Sequence, residues 1–273
     1  MKKFFITIPN YPGTRQELYL KYNSPRIKKY CDMHGFKLIE ATPDRLALPP
    51  VIVHPFNPRD DKRFARWWLC KLAIDQGIVN DGDIISYIDC DVFVAKLDQP
   101  LQTNKSFTYA IDSGNSHNTG VFSLKVNDFT KKLIRVILDQ ERFDRLRNFN
   151  VYRENFNTHA PMCDHDQDAF YHAAGIKAHS WVPFTELPNY GFHSNKNEHT
   201  FFELSELIEN IEILPVEWNV TQLLEETSEN GKKNMYDIIS TTKDKVRLRH
   251  FTGGDFSDGS NWLFREWLEY VGG

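Results

Sequence analysis

The chain is 273 residues long, 41% hydrophobic and 26% charged, with a formal net charge of −4. That length and balance allow a large buried core, as one large α/β domain or two small ones, and exclude a disordered chain. A slightly acidic protein carries no general basic surface for nucleic acid, and no stretch approaches the roughly 20 apolar residues of a membrane span.

The first predicted element is a strand over residues 2–9, "KKFFITIP". Pro9, Asn10 and Pro12 cut its apolar run well short of a secretory leader. Four cysteines (Cys31, Cys70, Cys90, Cys163) form no CxxC pair, so no zinc ribbon is expected. A cytoplasmic setting with free thiols is the expectation. In "NSPRIKKYCDMHG" (23–35) Ser24 is expected to cap a helix, with Pro25 inside its start and Gly35 past its end. "FKLIEA" (36–41) reads as a second strand, and the proline-rich 46–58 as an irregular loop.

"DDKRFARWWLCKLAIDQG" (60–77) predicts a helix capped by Asp60 or Asp61 and closed by Gly77. A strand follows in "DIISYIDCD" (83–91), then strands in "SFTYAI" (106–111) and "TGVFSLKV" (119–126). "DFTKKLIRVILDQERF" (128–143) has apolar residues at helical spacing, and "DQDAFYHAAG" (166–175) begins another helix. Strands "IKAHSWV", "IEILP" and "KVRLRHF" and a terminal helix in "NWLFREWLEYV" complete the chain. Strands alternating with helices predict an α/β fold, a mainly parallel mixed sheet flanked by helices. In such sheets ligands bind beyond the carboxyl ends of the strands.

Asp89 and Asp91 stand at such an end, embedded between apolar "IISYI" and "VFV". Ionised carboxylates there are costly unless paired. Side chains at i and i+2 of an extended segment point the same way, so both acids could converge on one cation. Oxygen ligands select a hard ion, magnesium or manganese. The alternative is a pair facing solvent or closing a turn.

"YIDCDVFV" after a helix such as "FARWWLCKLAIDQG" resembles the GT-A fold glycosyltransferases. The likeness is to retaining families such as glycogenin, the lipopolysaccharide galactosyltransferases, and the yeast and plant galactosyl- and xylosyltransferases. "HNTGVFSL" (117–124), "HDQDAF" (165–170), "LPVEWNV" (214–220) and "RHFTGG" (249–254) follow in the family's order. The resemblance implies one GT-A-like catalytic domain over 1–273, with a nucleotide-binding half (1–110) and an acceptor-binding half (111–273). It implies Asp89, Asp91 and His250 as ligands of Mn2+ or Mg2+, and Asp166 and Gln167 beside the anomeric carbon. Thr7, Pro9, Tyr11, Lys71, Asp89, Asn118 and Gly253 would contact the donor, a nucleoside diphosphate sugar of UDP type. The acceptor would be a hydroxyl of a glycan, glycoconjugate or protein.

One departure stands out. Where these families often place a diphosphate-gripping lysine after the histidine motif, this chain has Phe256, which leaves Lys71, Arg66 or another arginine for that work. A metal-dependent nucleotidyltransferase remains an alternative, although "IPNYPGTRQ" is a poor phosphate loop. A non-catalytic carbohydrate-binding relative is another. The metal reading requires His250 to fold within coordination reach of both acids.

Overall fold

The computed structural model describes residues 1–9, 17–41, 64–113, 117–139, 166, 169–170, 173, 201–221, 223, 241–251 and 267–271. β1 spans Lys3–Thr7. A π-helical turn, Tyr19–Asn23, runs straight into α1, Ser24–His34. Ser24 therefore does not cap: Asn23 holds the cap position, itself helical and making no side-chain cap bond. Pro25 does lie in the first turn, where no intrahelical donor is needed. Gly35 closes the helix at φ 69°, a left-handed conformation that glycine adopts without strain.

β2 is Lys37–Glu40. α2 is described as Ala65–Asp75, while Asp60 and Asp61 lie outside the described residues. β3 (Ile84–Ile88) and β4 (Val92–Val94) are separate strands, followed by β5 (Phe107–Ile111) and β6 (His117–Lys125). α3, Asp128–Ile137, opens on a capping box between Asn127 and Thr130. α4 (Leu204–Asn210), β7 (Ile211–Leu214) and the short 3-10 turn Val216–Trp218 precede β8, Leu248–His250. The predicted strand over 176–182 lies outside the described residues.

Six strands form one sheet in the order β2-β1-β3-β6-β5-β7. Three of its five pairings are parallel and two, both made by β6, are antiparallel. The sheet is thus mixed α/β and mainly parallel, as expected. β4 leaves it and pairs antiparallel with β8.

Period-two alternation sorts the core into two faces. Phe4, Ile6, Ile85, Tyr87, Phe107, Tyr109 and Phe122 pack with α2 and α3. Phe5, Ile88, Ala110 and Val121 pack with Ile27 and Tyr30 of α1 on the other side. Trp67 of α2, fully buried, stacks on Phe122 at 4.9 Å between ring centres. This alternation matters for the site. Asp89, two residues beyond Tyr87, continues along the α2 face.

Candidate metal centre

β3 stops at Ile88 and the chain turns at once: the Val92 N–H donates to the Asp89 carbonyl at 3.0 Å. The acids are therefore curled together by a tight turn around Cys90, not aligned by strand alternation as the sequence suggested. Buried Asn23 clamps that turn, donating from its amide nitrogen to the carbonyls of Cys90 (3.0 Å) and Val92 (3.2 Å). β8 then delivers His250, because Val92 and His250 are opposed in the β4–β8 pair. The Phe251 N–H closes the register on the Asp91 carbonyl at 2.9 Å.

The result is a compact triad. Candidate ligand atoms of Asp89, Asp91 and His250 lie within 4.8 Å of one another, and His250 Nε2 stands 3.3 Å from Asp91 Oδ1. Opposite ligands at about 2.1 Å from a hard cation span roughly 4 Å, so small side-chain adjustments suffice to share one ion. By donor type the two carboxylates suit manganese or magnesium, and the imidazole favours manganese, the softer of the two.

Gly120 sits against this triad for a spatial reason. A Cβ there would lie 2.6 Å from Asp89 Oδ2 and 3.0 Å from the His250 ring. Its carbonyl also accepts the Asp89 N–H at 2.8 Å, so backbone must pass where a side chain cannot fit.

Arg66 of α2 joins the triad to Asp166. Its Nη2 is 3.0 Å from Asp89 Oδ1, its Nε 3.3 Å from Asp166 Oδ2, and its Nη1 donates to the Thr119 carbonyl at 2.8 Å. Asp166 Oδ2 also accepts from Trp67 Nε1 (3.1 Å) and Thr119 Oγ1 (3.0 Å). Beneath the guanidinium lies the Tyr87 ring, 5.1 Å away, whose hydroxyl donates to Asp89 Oδ1 at 2.7 Å.

Charge is crowded here. Among the described residues, Asp89 and Asp166 pair with the Arg66 guanidinium while Asp91 faces the His250 ring, an acid-rich surround that suits a cation. Burial and this crowding both shift the proton affinities of the group. Burial pushes the Asp89 carboxyl up, and Asp91 adds to the rise while Arg66 opposes it. Burial alone would lower the His250 imidazole, but Asp91 and Asp89 more than reverse this and hold it above its usual value. Burial likewise disfavours the Arg66 charge, yet Asp166 and Asp89 raise its affinity for the proton.

The other expected contacts fall as follows. Asn118, at the start of β6, accepts the Gly120 N–H at 2.7 Å and points its amide nitrogen at Asp112, 3.4 Å away. Thr7 and Pro9 are buried at the carboxyl end of β1. Lys71 pairs with Asp75 one turn on, on an exposed part of α2; the cation of this helix that meets the acids is Arg66. Tyr11, Gln167 and Gly253 lie outside the described residues, as do Phe256 and the rest of "CDHDQD" apart from Asp166. Sequence reasoning did not single out Asn23, Tyr87, Trp67, Thr119, Gly120 or Asn219. Tyr87 and Gly120 were findable: one lies at i−2 from Asp89, and the other is the glycine of "NTG".

A comparison with protein-family models and with curated proteins finds no match. Among solved structures, the chain is similar to a glycosyltransferase involved in glycosylation of the major capsid of PBCV-1. That match has 14% identity over 98% of each chain and a TM-score of 0.46. It is also similar to the glycosyltransferase GlyE of Streptococcus pneumoniae TIGR4, at 14% identity and a TM-score of 0.44. There the match covers 99% of this chain and 61% of that one.

Proposed function

We propose that this protein is a GT-A type, metal-dependent glycosyltransferase that moves a sugar from a nucleoside diphosphate donor to a hydroxyl acceptor, with retention at the anomeric carbon. One observation carries the reading: Asp89, Asp91 and His250 converge within 4.8 Å beyond the carboxyl end of β3, where an open α/β sheet binds its ligands. Manganese or magnesium held there would supply Lewis-acid stabilisation of the departing diphosphate.

The chain's own residues do the rest. Asn23 and the β4–β8 register hold the three ligating side chains in place before donor arrives, so little reorganisation remains at the moment of reaction. Arg66, already bound to Asp89 and Asp166, adds the cation that Phe256 does not supply. Asp166 is fixed by three donors on Oδ2. A carboxylate so tethered keeps its negative charge in one place, which suits stabilising positive charge at an anomeric carbon more than moving to form a bond. Thr7 ends the strand beside β3 and Pro9 follows it, where the nucleotide base would sit. Residues 1–110 would bind the nucleotide and 111–273 the acceptor.

The test is incubation with manganese and a panel of sugar nucleotides, UDP-sugars first. Metal-dependent donor hydrolysis or transfer supports the reading. Pyrophosphate release from a nucleoside triphosphate would replace it with a nucleotidyltransferase, and sugar binding without turnover with a lectin-like role.

A further inference from the structure

We propose that Asn219 is a positioning residue of this centre. Its carbonyl oxygen holds His250 in the Nδ1–H tautomer and so reserves the Nε2 lone pair for a divalent cation shared with Asp89 and Asp91. The inference rests on the metal reading above and adds to it a residue outside the coordinating three.

Geometry points to this assignment. Of the two ring nitrogens, Nε2 is the one directed at the acids, 3.3 Å from Asp91 Oδ1. A cation at that place takes Nε2, which must then carry no proton, so the ring's remaining proton belongs on Nδ1. Nδ1 lies 2.9 Å from Asn219 Oδ1, an atom that only accepts. Rotating the amide by half a turn would set its N–H against Nδ1, drive the proton to Nε2 and remove the ligand.

Asn219 is fully buried, and its Nδ2 has no partner among the described residues. A buried amide that uses only its oxygen is a poor packing choice beside a leucine of similar shape. The oxygen is therefore what the site requires.

Backbone bonds fix the pair. The Asn219 N–H closes the 3-10 turn on Val216 at 2.8 Å. Its neighbour Val220 bridges to β8 on both sides, donating to Leu248 at 3.1 Å and accepting from the His250 N–H at 2.9 Å. Arg249 Nη1 staples the same segment by donating to the carbonyls of Val220 (2.9 Å) and His250 (2.8 Å). Partners of this outer kind orient a ligating imidazole and commonly change metal affinity about 10–100-fold when removed.

Nitrogen-15 spectra of histidine-labelled, metal-free protein, taken at a pH where the ring is neutral, read the tautomer directly, and calorimetry reads manganese affinity. Wild type should show Nδ1–H. Asn219→Leu should move the proton to Nε2, facing Asp91, and weaken manganese binding about 10–100-fold. Asn219→Asp, which keeps an acceptor, should retain both the tautomer and affinity within a few-fold. A wild-type ring protonated on Nε2, or an Asn219→Leu variant that binds manganese as tightly as wild type, overturns the role. Should Asn219→Leu fail to fold, the wild-type spectrum and Asn219→Asp decide. Wild-type protein that takes up no manganese would instead fell the metal reading and the role built on it. Failure of the inference alone looks different: normal wild-type uptake, unaltered by Asn219→Leu.

Discussion

An aspartate stands just outside each end of β3, and the two are treated in opposite ways. Asp83, at the amino end, accepts backbone N–H groups from Lys2 (2.6 Å) and Asn80 (3.1 Å). Those donors favour the charged form and hold the carboxyl below its usual value. Asp89, at the carboxyl end, lies among other carboxylates with a guanidinium and an imidazole, and burial pushes it up. Asp83 is a structural latch: remove any ligand from consideration and its charge is still accounted for. Asp89 belongs to a cluster in which several acids converge on one guanidinium and one imidazole. Backbone donors outweigh burial at Asp83, whereas at Asp89 burial and a neighbouring acid outweigh the donors, and that balance separates a latch from a site.

The sharpest way to break that contrast is at the cluster itself. Asp91→Ala should abolish manganese-dependent donor binding and lower turnover by about 10³-fold or more, as expected when a metal's several kcal/mol are lost. Asp166→Ala should spare donor binding and remove turnover. Calorimetry and transfer rates separate the two, and wild-type rates in Asp166→Ala would remove it from the reaction.

A second test uses His117, at the same end of the sheet, where burial lowers the imidazole to about 4. Its folded value lies below its unfolded one, so the unfolded chain binds more protons between pH 6.5 and 4. Stability must fall as pH falls through that window, by up to about 3 kcal/mol from this group. His117→Gln should flatten the slope in urea unfolding. An unchanged slope would show that the ring is not buried in its neutral form.

At the other end, Asp83→Asn should cost about 1–2 kcal/mol near neutral pH by weakening charge-assisted bonds. Because its folded pKa is depressed, the wild type's advantage exists above the unfolded value and disappears as pH drops through the folded one. Denaturation of both proteins at neutral and strongly acid pH checks the sign. Last and smallest, Lys71→Ala should change stability by about 0.5 kcal/mol or less, since its pair with Asp75 is exposed. A fall in donor affinity in that variant would give Lys71 the donor contact that the resemblance implies; unchanged affinity would leave that work to Arg66.

Much of the fold was legible because local pattern and tertiary packing agree. The apolar runs at Ile84–Ile88 and Phe107–Ile111 are fully buried strands, and the helical spacing after Asp128 buries Phe129, Leu133, Ile134 and Ile137. Ser24 misled because a π-helical turn upstream supplies the preceding carbonyls, so no cap is needed. The strand predicted over 83–91 ran too long: β3 ends at Ile88, and a turn at Asp89–Val92 sends "VFV" to a different partner.

By itself the sequence determined the alternation of strands and helices, the position of two acids at a strand's end and the residue types available for a cation. Those follow from periodicity and side-chain chemistry, which are properties of neighbouring residues. The resemblance already implied His250, which its register with Val92 delivers; only the tertiary structure decided that Arg66 meets the acids across the α2 face and that Asn219 stands behind the imidazole. Such meetings depend on strand pairing and helix docking over long separations, and no local pattern encodes them.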